Sequence, residues 1–217
     1  FKLHFLVKNK YIYLHGFASS PNSAKAQYIR ERFSELNHSL MIPDLNQNDF
    51  SHLTLSRQIA QVVQLLPIDT PVTLLGSSFG GLTAASLAEK HPQIERLVLL
   101  APAFGFLSEW LNRLGTDMVN EWKSSGYLKV YHYAEMQSLP LHYQFVQDVE
   151  QYDEAQLQRQ VPTLIIHGRN DEVIPIKYSR DYAKQRPWVK LVEVESDHSL
   201  TSVSSEIWSL TKEFCHL

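Results

Sequence analysis

One cysteine, Cys215, is all that the 217 residues contain, which excludes an intrachain disulfide and gives no sign of an oxidising compartment. Glycine is scarce as well, at 8 residues, so a place where glycines cluster marks a close approach of backbone. An excess of charge of either sign is missing: 20 Lys and Arg stand against 23 Asp and Glu, for a net charge of −3. That balance offers no basic surface to nucleic acid or anionic lipid. No apolar run reaches the ~20 residues that a membrane-crossing helix needs. The stretch from Phe1 also lacks the apolar core of a secretory leader. A cytoplasmic location is the resulting expectation. The 10 histidines show no ligand spacing of the His-Glu-x-x-His kind, so neither metal nor other cofactor is expected. Repeats and low-complexity tracts are absent too.

What is present suits an ordinary globular protein, with 44% apolar and 20% charged residues. The length predicts a single domain over residues 1–217. Leu3 to Val7 and Tyr11 to His15 read as strands around a polar turn, and Ser19 to Ser23 carry helix-start chemistry for a helix reaching Leu36. Further strands are expected at Leu40 to Ile42, Val72 to Leu75, Ile94 to Leu100, Val161 to His167 and Val189 to Val194. Helices are expected at Thr54 to Leu66, Leu82 to Lys90, Ile176 to Gln185 and Ser202 to Phe214. Strands alternating with helices predict an α/β fold, a mostly parallel sheet with helices on both faces and ligand chemistry at the strands' carboxyl ends.

The stretch from about residue 102 to 160 interrupts this rhythm and is too long to be a structureless loop. Trp110, Leu111, Leu114, Met118 and Trp122 fit one apolar helical face, Tyr127 to Tyr133 alternates like a strand, and Tyr143 to Tyr152 reads as helix. An inserted cap over the strand ends is the expectation. Its aromatic residues should mostly form a small core of its own, while Phe104, Trp110 and Tyr131 are candidates for a substrate pocket.

Three of the eight glycines fall in Leu74-Leu75-Gly76-Ser77-Ser78-Phe79-Gly80-Gly81, where an apolar strand meets a helix of small residues. Gly-x-Ser-x-Gly in that context is a nucleophile elbow, a sharp turn that exposes the Ser78 hydroxyl at the strand's carboxyl end. A serine hydroxyl needs an adjacent base, and the base needs an orienting acid. Asp171 follows the apolar strand of Pro162 to His167, and His198 follows the last strand in Val194-Glu195-Ser196-Asp197-His198. Taken singly, Asp171 is an ordinary turn residue and His198 an ordinary surface one. Their order after Ser78, with room between them for one helix and one strand, is that of an α/β-hydrolase triad.

The elbow, the His15-Gly16 turn, His167-Gly168-Arg169-Asn170-Asp171 with Pro175, and Asp197-His198 together resemble the α/β-hydrolase superfamily. More narrowly, His15-Gly16-Phe17-Ala18-Ser19-Ser20-Pro21-Asn22-Ser23-Ala24-Lys25-Ala26 with Gly76 to Gly81 resembles the YqiA/YcfP-like family of small intracellular esterases, from about Lys10 to the carboxyl end. The resemblance implies Ser78 as nucleophile, Asp171 as acid and His198 as base. It also implies hydrolysis of a small-molecule carboxylic ester or thioester, with acyl-CoA or short acyl esters as candidate substrates. Glu172 is the alternative acid, and Asp171 is preferred because it occupies the family's position.

The oxyanion donors expected in this fold are the backbone N–H groups of Phe79 and Phe17. His15 is expected to shape the oxyanion loop through backbone bonds, and His167 to belong to the acid turn. Lys25, in the first turn of a helix near the pocket, reads as a solvated lysine in preference to a contact for an anionic substrate group. Two rival functions remain at this stage, an amide hydrolase with the same triad and a hydrolase-fold protein that binds without turnover. Nothing in the sequence sets the oligomeric state.

Overall fold

A computed structural model describes residues 9–217. The strand expected at Leu3 to Val7 lies outside them. Among the described residues one sheet of six parallel strands runs in the order β2 (Leu40–Met41), β1 (Lys10–Leu14), β3 (Val72–Ser77), β4 (Ile94–Leu100), β7 (Thr163–Gly168) and β8 (Val189–Val194). The register aligns Leu14 with Gly76, Gly76 with Leu99, and Leu99 with Ile165. The central strands β3 and β7 are buried along their whole length, as their continuous apolar composition requires of a sheet covered on both faces.

Helix α1 (Ala24–Glu35) begins where Ser23 accepts a hydrogen bond from the Ala26 N–H. It packs with α7 (Ser204–Cys215) over a core that includes Tyr13, Phe33, Leu75 and Val98. The opposite face carries α2 (Leu55–Val63), α3 (Phe79–Lys90) and α6 (Lys177–Lys184) over Leu14, Leu74, Leu99 and Ile165. Ten of the twelve residues of α3 are buried, which its Gly, Ala, Ser and Thr content permits. Strand order reverses between β1 and β3, so the chain leaves these neighbours in opposite directions and opens a crevice beyond their carboxyl ends.

Between β4 and β7 the chain forms α4 (Phe106–Ser125), an antiparallel hairpin of β5 (Tyr127–His132) and β6 (Gln137–His142), and α5 (Gln144–Val149). Helix α4 is kinked at Gly115, whose φ of 78° and ψ of 159° no side-chain-bearing residue adopts readily. Met118, assigned to the apolar face, is 42% exposed beyond this kink. Strand β6 escapes sequence patterning because Pro140 reads against a strand, yet a two-stranded hairpin has outward edges that tolerate a missing N–H. The segment has no separate core. Phe104, Trp122 and Phe145 belong to the same apolar cluster as Leu74 and Phe79, because α4 and α5 pack directly on the main domain. Among the described residues no helix is long and apolar enough to cross a membrane.

Candidate active site

The turn from β3 into α3 holds Ser78 at φ 53° and ψ −118°, a conformation that costs energy and must be imposed by its surroundings. Its N–H donates to the Leu100 carbonyl at 2.9 Å, and its carbonyl accepts from Gly81 N–H at 2.8 Å and Ala103 N–H at 3.0 Å. The glycines leave no alternative: a Cβ on Gly76 would fall on the Gly80 backbone, and one on Gly80 on the Leu14 carbonyl. Strand, helix and neighbouring loop thus converge on the Ser78 backbone and turn its hydroxyl outward.

Asp171 lies in the turn after β7 and His198 in the loop after β8. His198 Nδ1 donates to Asp171 Oδ2 at 2.7 Å, and Ser78 Oγ sits 3.0 Å from His198 Nε2. A carboxylate only accepts, so the proton is on Nδ1 and Nε2 is left to accept from the serine hydroxyl. The three expected residues are therefore in contact in the order hydroxyl, imidazole, carboxylate.

Asp171 has no exposed side-chain surface, whereas the His198 ring is 23% exposed. Burial opposes the Asp171 charge, but the hydrogen bonds from His167 and His198 and from the Ile174 N–H outweigh it and hold the carboxyl well below the usual carboxylate range. Oδ1 accepts from the N–H groups of Val173 at 2.9 Å and Ile174 at 2.8 Å. Oδ2 also lies 3.1 Å from His167 Nε2, while the other His167 nitrogen faces Ser179 Oγ at 2.7 Å. Nε2 also faces the Ile174 carbonyl at 2.9 Å, so His167 braces the turn that carries Asp171. Its signal in sequence is its place four residues before Asp171. Glu172, the alternative acid, is exposed and has no bond to His198.

The loop after β1 closes the other side. An added Cβ on Gly16 would stand 3.3 Å from Ser78 Cβ, so this loop runs directly against Ser78. His15 accepts from Leu45 N–H at Nε2 and faces the Gly16 carbonyl through Nδ1, each at 2.9 Å, which ties two loops together through the backbone. Among the described residues the N–H groups of Phe17 and Phe79 have no hydrogen-bond partner. Tyr133 N–H donates to the Ala18 carbonyl at 2.9 Å, so the hairpin β5–β6 is tied to the same loop.

A cleft of about 1000 Å³ opens over Ser78 and His198. Phe106, Trp110, Arg113, Val130, Tyr131 and Tyr133 supply the wall from the segment between β4 and β7. Trp110 and Tyr131 thus line the cleft. Phe104 does not: it is 1% exposed, is not part of the cleft wall, and stacks on Tyr182 at 4.2 Å between ring centroids. Its place after β4 points it into the packing between α6 and the sheet. Lys25 also differs from expectation. It is half-buried in the cleft wall, with Nζ 3.0 Å from Ser77 Oγ. Cys215 is buried, which pushes its thiol up to about 12 and leaves it inert.

A model described as "Uncharacterised protein family (UPF0227)" matches residues 10–215. Among solved structures, alpha/beta hydrolase domain-containing protein 10 from mouse is 20% identical, with 95% of this chain and 89% of that chain covered at a TM-score of 0.79. Est1E from Butyrivibrio proteoclasticus, described with ferulic acid bound, is 21% identical over 97% of this chain and 90% of its own, at a TM-score of 0.80. Polyneuridine aldehyde esterase is 17% identical over 94% of this chain and 100% of its own, at a TM-score of 0.65. At such identities the likeness is one of fold. No curated protein matches in sequence.

Proposed function

The chain belongs to the UPF0227 family and has the α/β-hydrolase fold, and from that premise we propose that it is a serine hydrolase cleaving carboxylic esters or thioesters through an acyl-enzyme on Ser78. The observation that carries the proposal is the unbroken contact from Ser78 Oγ to His198 Nε2 and from His198 Nδ1 to Asp171 Oδ2, at 3.0 and 2.7 Å. A binding protein has no need of a base held in the one tautomer that accepts a serine proton.

The chemistry follows from those contacts. Ser78 Oγ attacks the acyl carbonyl as His198 takes its proton, and buried Asp171 stabilises the imidazolium without itself becoming protonated. The free N–H groups of Phe79 and Phe17 receive the oxyanion, and such a donor is worth about 2.7–4 kcal/mol where its removal has been measured. The amino end of α3 adds a favourable field. His198 returns the proton to the leaving alcohol or thiol, then activates a water that hydrolyses the acyl-enzyme.

We read residues 102–160 as a cap within a single domain, since the segment furnishes one wall of the cleft over Ser78. An ester in preference to an amide is favoured by what two fold neighbours are, since one is named an esterase and another, Est1E, binds ferulic acid. A fluorophosphonate probe followed by peptide mapping tests the assignment, with label expected on Ser78 alone. Ser78→Ala should abolish turnover of 4-nitrophenyl butyrate and of acyl-CoA while the melting temperature is retained. Turnover by the folded variant, or label on another residue, would overturn the mechanism. Cleavage of peptide anilides with no ester turnover would replace ester by amide as the substrate.

A further inference from the structure

We propose that Lys25 is an anion-recognition residue, and that the substrate carries a carboxylate or phosphate group close to its scissile carbonyl. The proposal rests on the serine hydrolase reading of the preceding section and adds a substrate class to it.

Lys25 is the second residue of α1, at the end of a helix where the macrodipole disfavours a cation. It is also half-buried, in the wall of the cleft that holds Ser78 and His198. Both features oppose a positive charge, and a lysine that served only solubility would stand outside. Its partners do not explain it. Nζ has three donors and gives one to Ser77 Oγ, a neutral hydroxyl on the residue before the nucleophile. Among the described residues Lys25 has no carboxylate within ion-pair distance.

The carboxylates whose fields reach it are already engaged. Asp171 receives His198, His167 and two backbone N–H groups. Asp197 accepts from Ser199 N–H, Ser199 Oγ and Leu200 N–H in its own turn. Tyr13 of β1 also borders the cleft here, and burial pushes its phenol up, so it is a neutral neighbour. Arg113 of α4 is another cation in the cleft wall, and its guanidinium donates to the Val173 carbonyl at 2.5 Å. Two of the Lys25 ammonium donors are therefore left for whatever enters the cleft. An oxyanion meets that demand and a neutral acyl chain does not.

The test uses two matched pairs of esters. On the acyl side these are mono-4-nitrophenyl glutarate and 4-nitrophenyl butyrate. On the leaving-group side they are the butyrate esters of 4-hydroxybenzoate and of methyl 4-hydroxybenzoate. In one pair the wild-type protein should favour the anionic member by tenfold or more in kcat/KM. Lys25→Met should bring that ratio down at least tenfold, and Lys25→Arg should restore most of it.

Burial lowers Lys25 to about 8, with Asp171 and Asp197 opposing the shift. The lysine is charged below that value and neutral above it, so the preference should be full at pH 7 and largely lost at pH 9. Calorimetry with glutarate and inorganic phosphate supplies a readout apart from turnover, and binding should weaken in Lys25→Met at an unchanged melting temperature. A ratio the same in the folded Met variant as in the wild type, or anion binding indifferent to the substitution, would overturn the assignment while leaving the esterase reading intact. Lys25-dependent binding of anions with no ester hydrolysed would keep the anion site and remove the esterase.

Discussion

Asp171 gathers two imidazoles and two backbone N–H groups on its two oxygens, and only the charged form can accept from all of them. Replacing it by Asn offers His198 a donor where it needs an acceptor, which favours the tautomer with its proton on Nε2, facing Ser78. Turnover of 4-nitrophenyl butyrate by Asp171→Asn should fall by about 10⁴ in kcat, measured at saturating ester. The same contacts shape stability against acid. Folding holds the Asp171 carboxyl below the ~3.9 of an unfolded chain. Its stabilising contribution is therefore complete above that value and is lost as pH falls toward the folded pKa. Thermal melts between pH 5 and pH 2 should show the Asn variant losing less melting temperature than the wild type. An equal loss in both would mean that Asp171 is not a source of the acid sensitivity. His167, fully buried beside it, braces the same turn through the Ile174 carbonyl and Ser179 Oγ.

At the scale of the element, the turn from β3 into α3 is set by what cannot be there. Gly80→Ala places a methyl group of α3 on the Leu14 carbonyl, at the end of a strand whose register with β3 is already fixed. Urea denaturation should find a loss of about 3 kcal/mol or more, at the upper end of overpacking effects, since backbone has to move to relieve it. Gly115→Ala in α4 is a different case. No atom lies within 4 Å of the added Cβ, so any loss comes from φ 78° alone and should amount to about 1–3 kcal/mol. The kink has a consequence for the site, since Trp110 and Arg113 before it face the cleft while Trp122 after it is buried and donates from Nε1 to the Leu141 carbonyl at 2.9 Å. Twelve residues of straight helix rise ~18 Å, yet the two indole rings lie 5.3 Å apart between centroids, so the kink brings the second half back toward the first.

At the scale of the molecule, the crevice exists because β1 and β3 are neighbours that the chain leaves in opposite directions, and the groups around Ser78 come from loops at the same edge of the sheet. The segment between β4 and β7 closes it and is fastened at several points. Ser56 N–H donates to Asp148 Oδ2 at 2.9 Å, and Arg159 donates to the carbonyls of Ala88, His91, Pro92 and Ile94 where the chain rejoins the sheet. Arg159→Met leaves those carbonyls without their shared donor, and equilibrium unfolding should report a loss of about 2 kcal/mol. The sequence by itself determined the alternation of strands and helices, the elbow, and the chain order of Ser78, Asp171 and His198. Those are local or periodic properties, and a parallel sheet returns every strand's carboxyl end to one edge. Only the tertiary structure decided that Phe104 faces the core, that a strand forms through Pro140, that the inserted aromatic residues share the main core, and that Lys25 is half-buried beside Ser77. The surroundings of each are supplied by residues distant in the chain, and burial is a property of what arrives there, which no local pattern of amino acids encodes.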